Sequence, residues 1–200
     1  KIENMRDQHE RAKHDSSNKK PAPAQNSTRT ETYTPATPEK PVGFVSVCAG
    51  EGIEALFKDL GVDSIVSGGQ TMNPSTDDIL RAIELTPAET VFVLPNNKNI
   101  IMAAEQTLPL ADRKVVVLQT RTIPQGVTAL IHYNPDLSVE ENHLEMSRSL
   151  DTVDTAQVTF AARDSVVDGL KIKEGQMLGM ENGAITVVED SALTAAYKIT

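Results

Sequence analysis

The residues of this chain best suited to binding a small polar group follow three short apolar runs. The first loop contains Gly68, Gly69, Gln70, Thr71 and Asn73, the second contains Asn96, Asn97, Lys98 and Asn99, and the third contains Thr120, Thr122, Gln125 and Gly126. Neutral amide and hydroxyl donors together with one ammonium could hold a phosphate or a carboxylate. Loops rich in Asn and Gly also commonly serve only to tie turns together through side-chain hydrogen bonds. The residues themselves leave both interpretations open.

Nothing in these loops indicates catalysis. They offer no His/Asp pair, no paired carboxylates and no activated nucleophile, so we predict no catalytic residue. The single cysteine, Cys48, ends an apolar run and is expected to pack as a small hydrophobic side chain. The four histidines lack the spacing of metal ligands, and we expect no metal site and no bound cofactor in this chain. His143 is expected to be a packed, half-buried imidazole.

Strand and helix patterns alternate four times in the region that must position the loops. A strand over 42–47 precedes a helix over 51–60, and a strand over 63–67 precedes a helix over 74–85, with Asn73 as N-cap and Pro74 in the first turn. Two further units begin at Thr90 and Lys114. Such alternation predicts an α/β fold with a mostly parallel sheet and helices on both faces. The polar loops then converge at the carboxyl ends of the strands.

The pattern changes after the fourth unit. A helix is predicted after Pro135, because Ser138 and Glu141 form a capping-box signature. Beyond residue 155, the pairs Asp-Gly, Glu-Gly and Asn-Gly separate short β-prone runs. We therefore assign 41–155 to the α/β subdomain, and 156–200 to a small antiparallel β element followed by the start of a further helix. The absence of a helix stop signal near Thr200 suggests that the natural protein continues.

The first 40 residues have a different composition. Residues 1–10 could complete a helix of a preceding domain, whereas 11–40 contain four prolines and many polar residues, which is typical of a flexible linker. We expect this linker to be mobile.

Charge is distributed unevenly between these parts. Residues 1–40 contain 8 basic and 6 acidic side chains of the 19 and 28 in the chain, which leaves 11 basic and 22 acidic side chains, or −11, in 41–200. An acidic surface repels nucleic acid and would attract a basic protein partner, although solubility alone also explains much acidity. The acids nearest the loops are at predicted helix starts. They are Glu51, Glu54, Asp77 and Asp78. No apolar run is long enough for membrane insertion and no signal peptide is evident, so we expect a cytoplasmic location.

Four longer segments resemble a known family. The segments SGGQTMNPSTDDI (67–79), VFVLPNNKNIIMAA (91–104), TRTIPQGVTAL (120–130) and QVTFAARDSVVDGLKIKEGQMLG (157–179) are similar to the C-terminal domain of the kinase component of bacterial fatty acid kinase, a DAK2-domain, dihydroxyacetone-kinase-like protein. The resemblance covers about residues 41–200 and implies a DegV-like fold whose second subdomain is incomplete in this chain.

The resemblance also implies a function. In that family an N-terminal DhaL-like domain binds ATP and magnesium, and a middle domain supplies catalytic residues and forms a homodimer. The C-terminal domain is expected to dock a DegV-like fatty-acid-binding protein, so that the fatty acid is phosphorylated to an acyl phosphate for phospholipid synthesis. Alternatives are that this domain itself binds a fatty acid or a small anion, or that it belongs to a dihydroxyacetone-kinase-like enzyme.

Overall fold

Four parallel strands form the central sheet of the molecule. They are β1 (Lys40–Cys48), β2 (Ser64–Ser67), β3 (Ala88–Leu94) and β4 (Lys114–Val117), arranged in the order β2-β1-β3-β4. The computed structural model describes residues 34–69, 72–167 and 169–199. The expectations for residues 1–10 and for most of the linker lie outside the described residues.

Helices cover both faces of this sheet. They are α1 (Glu51–Asp59), α2 (Thr76–Leu85), α3 (Lys98–Glu105), α4 (Ile123–Ile131) and α5 (Val139–Leu150). Alternate strand residues point to opposite faces, so the core is divided in two. Phe44 and Phe92 pack with residues of α1, α4 and α5 on one face, whereas Val45 and Val93 pack with α2 and α3 on the other. The predicted parallel α/β fold with helices on both faces is confirmed.

Two helix details differ from the prediction. The second helix begins at Thr76 with Ser75 as its N-cap, not at Pro74 with Asn73 as N-cap. The Ser75 hydroxyl accepts a hydrogen bond from the Asp78 amide while the Asp78 carboxylate accepts one from the Ser75 amide, so a reciprocal capping box determines where this helix starts. The capping box predicted at Ser138 and Glu141 is confirmed.

His143 is exposed, so the prediction of a half-buried imidazole is wrong. The buried stripe of α5 passes instead through Asn142 and Met146. The Asn142 side chain accepts a hydrogen bond from the Asn134 amide at 2.8 Å and donates one to the Asn134 carbonyl at 2.8 Å. These two bonds turn Asn142 inward and its neighbour outward.

An antiparallel part follows α5, as predicted. Strands β5 (Ala156–Phe160), β8 (Met177–Glu181) and β9 (Ala184–Glu189) form one sheet, β6 (Ser165–Val167) pairs with β7 (Leu170–Ile172), and α6 (Ala192–Ile199) follows. Asn182 and Gly183 have φ values of 49° and 87°, which is the geometry of a tight hairpin turn. The Ile199 side chain packs on the backbone of Gly179, where a Cβ would lie 2.6 Å from it.

The segment that leads into β1 is attached to the domain. Ala36 donates a backbone hydrogen bond to the Glu84 carbonyl at 2.8 Å, and Glu39 donates one to the Pro87 carbonyl at 3.0 Å. The first strand starts at Lys40, one residue inside the predicted linker. The end of that predicted linker is therefore held against the sheet at 36–40.

No helix among the described residues has the length and apolar character needed to cross a membrane. Within the same residues, His, Cys, Asp and Glu side chains nowhere form a group of three that could hold a metal ion.

Candidate functional site

Asn96 is the centre of the polar cluster at the carboxyl ends of the strands. Its side-chain amide donates to the Ser46 hydroxyl at 2.9 Å and to the Val47 carbonyl at 3.1 Å, and its backbone amide donates to the Thr120 hydroxyl at 3.0 Å. Asn96 has a φ of 55°, a left-handed conformation that Asn tolerates better than most residues. Ser46 and Thr120 are fully buried. One residue therefore connects the ends of β1, β3 and the segment that follows β4.

The remaining atom of the Asn96 side chain faces α4. Its Oδ1 is buried and has no hydrogen-bond partner, and a Cβ built on Gly126 would lie 2.2 Å from it. Gly126 is in the first turn of α4, so only a residue without a side chain allows the helix to approach this closely. The helix backbone closes the space into which this oxygen points.

Asn97 connects the second loop to the first. Its side chain donates to the Gly69 carbonyl at 2.8 Å and accepts from the Asn99 amide at 2.9 Å, which caps α3. Gly68 donates to the Cys48 carbonyl at 3.0 Å, and a side chain at this position would meet Pro74 at 2.7 Å. Gln70 and Thr71, also predicted for this site, lie outside the described residues.

The third loop is occupied with capping α4. The Thr122 hydroxyl is the N-cap, accepts from the Gln125 amide at 3.4 Å and lies 3.0 Å from the Thr155 hydroxyl. The Gln125 side chain accepts from the Arg121 amide at 2.8 Å and donates to the Leu150 carbonyl at 3.4 Å. Gln125 and Gly126 are helical residues, so the prediction that they belong to a binding loop is corrected.

The predicted residues at this edge therefore divide into two groups. Asn96, Asn97, Thr120, Thr122 and Gln125 form hydrogen bonds to other parts of the domain. Asn73, Lys98 and Asn99 are exposed. Among the described residues, the first group favours the interpretation in which polar side chains fix the loops rather than bind a small anion.

Two grooves lie away from the Asn96 cluster. One, of about 500 Å³, runs along β2 and α2 and is lined by residues that include Ser67 and Asp78. The other, of about 530 Å³, lies beside the turn before β8 and is lined by residues that include Lys171 and Gln176. Neither includes Asn96 or Asn97.

The four predicted acidic contacts do not have equal roles. Glu51 and Asp77 are exposed in the first turns of α1 and α2, and Glu54 is half-buried. Asp78 accepts from the Ser75 hydroxyl at 2.7 Å and from the Ser75 amide at 2.9 Å. These hydrogen bonds lower the pKa of the Asp78 carboxyl, so its charge serves the helix cap. Glu51, Glu54 and Asp77 remain available to a partner.

Cys48 is buried at the end of β1, as predicted. Burial, with a smaller contribution from the Glu54 charge, raises the pKa of the Cys48 thiol to about 11. The thiol is therefore a packed core group and not a nucleophile.

Sequence reasoning missed Ser46, which is completely buried and accepts from Asn96. The only signal for it was a single hydroxyl within the apolar run of β1. A polar side chain in an otherwise apolar buried strand requires a partner, and Asn96 supplies it from 50 positions away.

The arrangement defines a class of protein before any comparison is made. It is a parallel α/β domain whose carboxyl edge is closed by its own polar side chains and bordered by exposed acids, with antiparallel sheets appended.

Comparison with known proteins then gives the family. Residues 43–200 match the family of FakA-like C-terminal domains, which are the C-terminal domains of fatty acid kinase FakA-like proteins, and the chain belongs to this family. The chain is 45% identical over 196 residues to Protein YloV of Bacillus subtilis, covering 98% of this chain and 34% of that protein. An uncharacterized protein of Staphylococcus epidermidis is 40% identical over 187 residues, covering 94% of this chain and 32% of that protein. The chain thus spans about a third of the length of these relatives.

Proposed function

We propose that this chain is the C-terminal region of a fatty acid kinase and that it docks a DegV-like fatty-acid-binding protein. In the proposed assembly, other parts of the full-length protein bind ATP and magnesium, form a homodimer and transfer the phosphoryl group to the fatty acid carboxyl. The family membership of residues 43–200 supports the assignment to a fatty acid kinase.

One observation carries the docking part of the proposal. The polar loops at the carboxyl edge are tied together through Asn96, which leaves a fixed surface rather than an open cleft at that position. Exposed Glu51 and Asp77 stand on the same edge, because α1 and α2 begin directly beyond β1 and β2. A fixed, acid-bordered surface suits a protein partner with a basic face better than it suits a small anion.

Charge steering follows from this picture. Opposite charges at the border of an interface mainly accelerate association and are screened by salt, whereas the desolvated centre of an interface mainly determines dissociation. We therefore expect the association rate with the fatty-acid-binding partner to fall as salt rises, with a smaller change in the dissociation rate.

The test is surface plasmon resonance with a full-length kinase immobilised and the DegV-like partner in solution, at low and high salt. Glu51→Lys combined with Asp77→Lys should slow association by about three- to tenfold at low salt. Asp78 is left unchanged, because its reversal would break the helix cap.

Asp136→Lys is the matched control for each single reversal. Asp136 is equally exposed but lies in the connection after α4, at the opposite end of the sheet. Docking at the carboxyl edge is wrong if the Glu51 and Asp77 reversals change association no more than Asp136→Lys does.

A further inference from the structure

Residues 34–39, which we call the strap, run along the amino end of the sheet before β1. Two prolines, Pro35 and Pro38, restrict the backbone at and just before their positions to extended conformations. Only Ala36 within the strap is half-buried, and the other five residues are exposed. Because little apolar surface is buried, hydrogen bonds supply most of the attachment.

Those hydrogen bonds converge on a buried arginine. Arg113 donates from Nη2 to the Ala36 carbonyl at 3.1 Å and from Nη1 to the Thr86 carbonyl at 2.6 Å. It lies 3.6 Å from the Glu84 carboxylate, and the two side chains are 7% and 5% exposed. The Glu84 backbone carbonyl in turn accepts from the Ala36 amide. The pair Arg113 and Glu84 therefore holds Ala36 from both sides of its residue.

This pair is incompletely satisfied. Arg113 Nε and Glu84 Oε2 are buried without hydrogen-bond partners. Buried charges regain favourable hydration when they are exposed. Opening of the strap would lose a few hydrogen bonds but would give water access to the pair, so the cost of opening is much smaller than the cost of unfolding the sheet.

We propose that the strap is a latch that opens and closes without unfolding of the sheet, and that Arg113 holds it closed. Release of its six residues would add up to about 20 Å of extended chain between β1 and whatever precedes Thr34, at roughly 3.3–3.6 Å per residue. The latch thus sets how far the domain can move from the preceding part of the protein.

Amide hydrogen exchange of the 200-residue chain tests this by NMR, residue by residue. In the unaltered chain, the Ala36 and Glu39 amides should be protected, but less than the amides of β1 and β3. Arg113→Lys keeps the charge opposite Glu84 but loses the two-pronged donor geometry. It should raise Ala36 exchange about tenfold or more, as expected for loss of one charge-assisted hydrogen bond, while the sheet amides stay protected.

Lys114→Met is the matched control, since Lys114 is the exposed neighbour of Arg113 and pairs with Glu140 instead. It should leave the Ala36 amide unchanged. Ala36→Pro is a second variant, which deletes the donor to Glu84 and should expose the Glu39 amide, and it covers the case in which Arg113→Lys fails to fold.

Two results would overturn the proposal. Exchange of the Ala36 amide at the unprotected rate in the unaltered chain would mean that there is no latch. Exchange of Ala36 and Glu39 only together with the β1 and β3 amides, in the unaltered chain and in the variants, would mean that the strap is an inseparable part of the sheet.

Discussion

Gly126 lies against the side chain of Asn96 so closely that a Cβ on Gly126 would be 2.2 Å from Asn96 Oδ1. This contact joins the first turn of α4 to the end of β3, two elements that the sequence separates by a strand and a helix. The relationship explains why a helix begins with a glycine at its fourth position even though glycine lowers helix propensity.

The first prediction concerns this contact. Gly126→Ala should destabilise the domain by about 2 kcal/mol, because Asn96 cannot move aside without losing its bonds to Ser46 and Val47. The measurement is the urea midpoint. Gly52→Ala is the control, since Gly52 is also helical but has nothing within 4 Å of its would-be Cβ. That change should stabilise by about 0.5–1 kcal/mol, and equal effects of the two substitutions would contradict the packing argument.

The capping box gives a prediction about pH. Asp78→Asn should cost about 1 kcal/mol at neutral pH. The pKa of the Asp78 carboxyl is lower in the folded state, so its contribution is present above the unfolded pKa and is lost as pH falls through the folded one. The difference between the two proteins should therefore shrink in acid. Asp77→Asn is the control, because Asp77 is exposed and outside the box, and a gap for Asp78→Asn that is independent of pH would exclude the ionised cap.

The thiol of Cys48 should be unreactive in the native protein. With its pKa raised to about 11, the thiolate fraction at pH 8 is smaller than that of an ordinary cysteine by more than about hundredfold. Labelling with a disulfide reagent should be slower by at least that factor than in denaturant, and it should accelerate as pH rises. Rapid labelling at neutral pH without unfolding would show that Cys48 is accessible.

The hairpin between β8 and β9 depends on Gly183. Gly183 has a φ of 87°, so Gly183→Ala should destabilise by about 1–2 kcal/mol. Gly183→Asn should restore part of the loss, because Asn adopts this conformation more readily. Thermal unfolding of the three proteins is the measurement, and equal melting temperatures for all of them would indicate that this turn does not limit stability.

Local patterns in the sequence were sufficient for most of the fold. Apolar spacing gave the alternating strands and helices, and Ser138 with Glu141 gave the start of α5. At α2 two N-cap signals lie two residues apart, and Ser75 is the cap because Asp78 completes a reciprocal box that Asn73 lacks.

The candidate site could be predicted only in outline. Strand ends placed the polar loops together, but the partners of each side chain are distant in sequence. Asn96 reaches Ser46 across 50 positions and Arg113 reaches Ala36 across 77. No local periodicity encodes such pairs, so the same amides and hydroxyls were compatible with ligand binding and with loop fixation.

The closed polar cluster around Asn96 has a consequence for the energetics of recognition. Groups that are already immobilised lose little conformational entropy when another molecule is placed against them, so more of the contact free energy appears as affinity. A partner at this edge would meet a preorganised template, with small backbone movements between the free and bound states. Loosening the cluster, for example by removing the Asn96 side chain, should therefore weaken such a complex even where Asn96 itself is never touched.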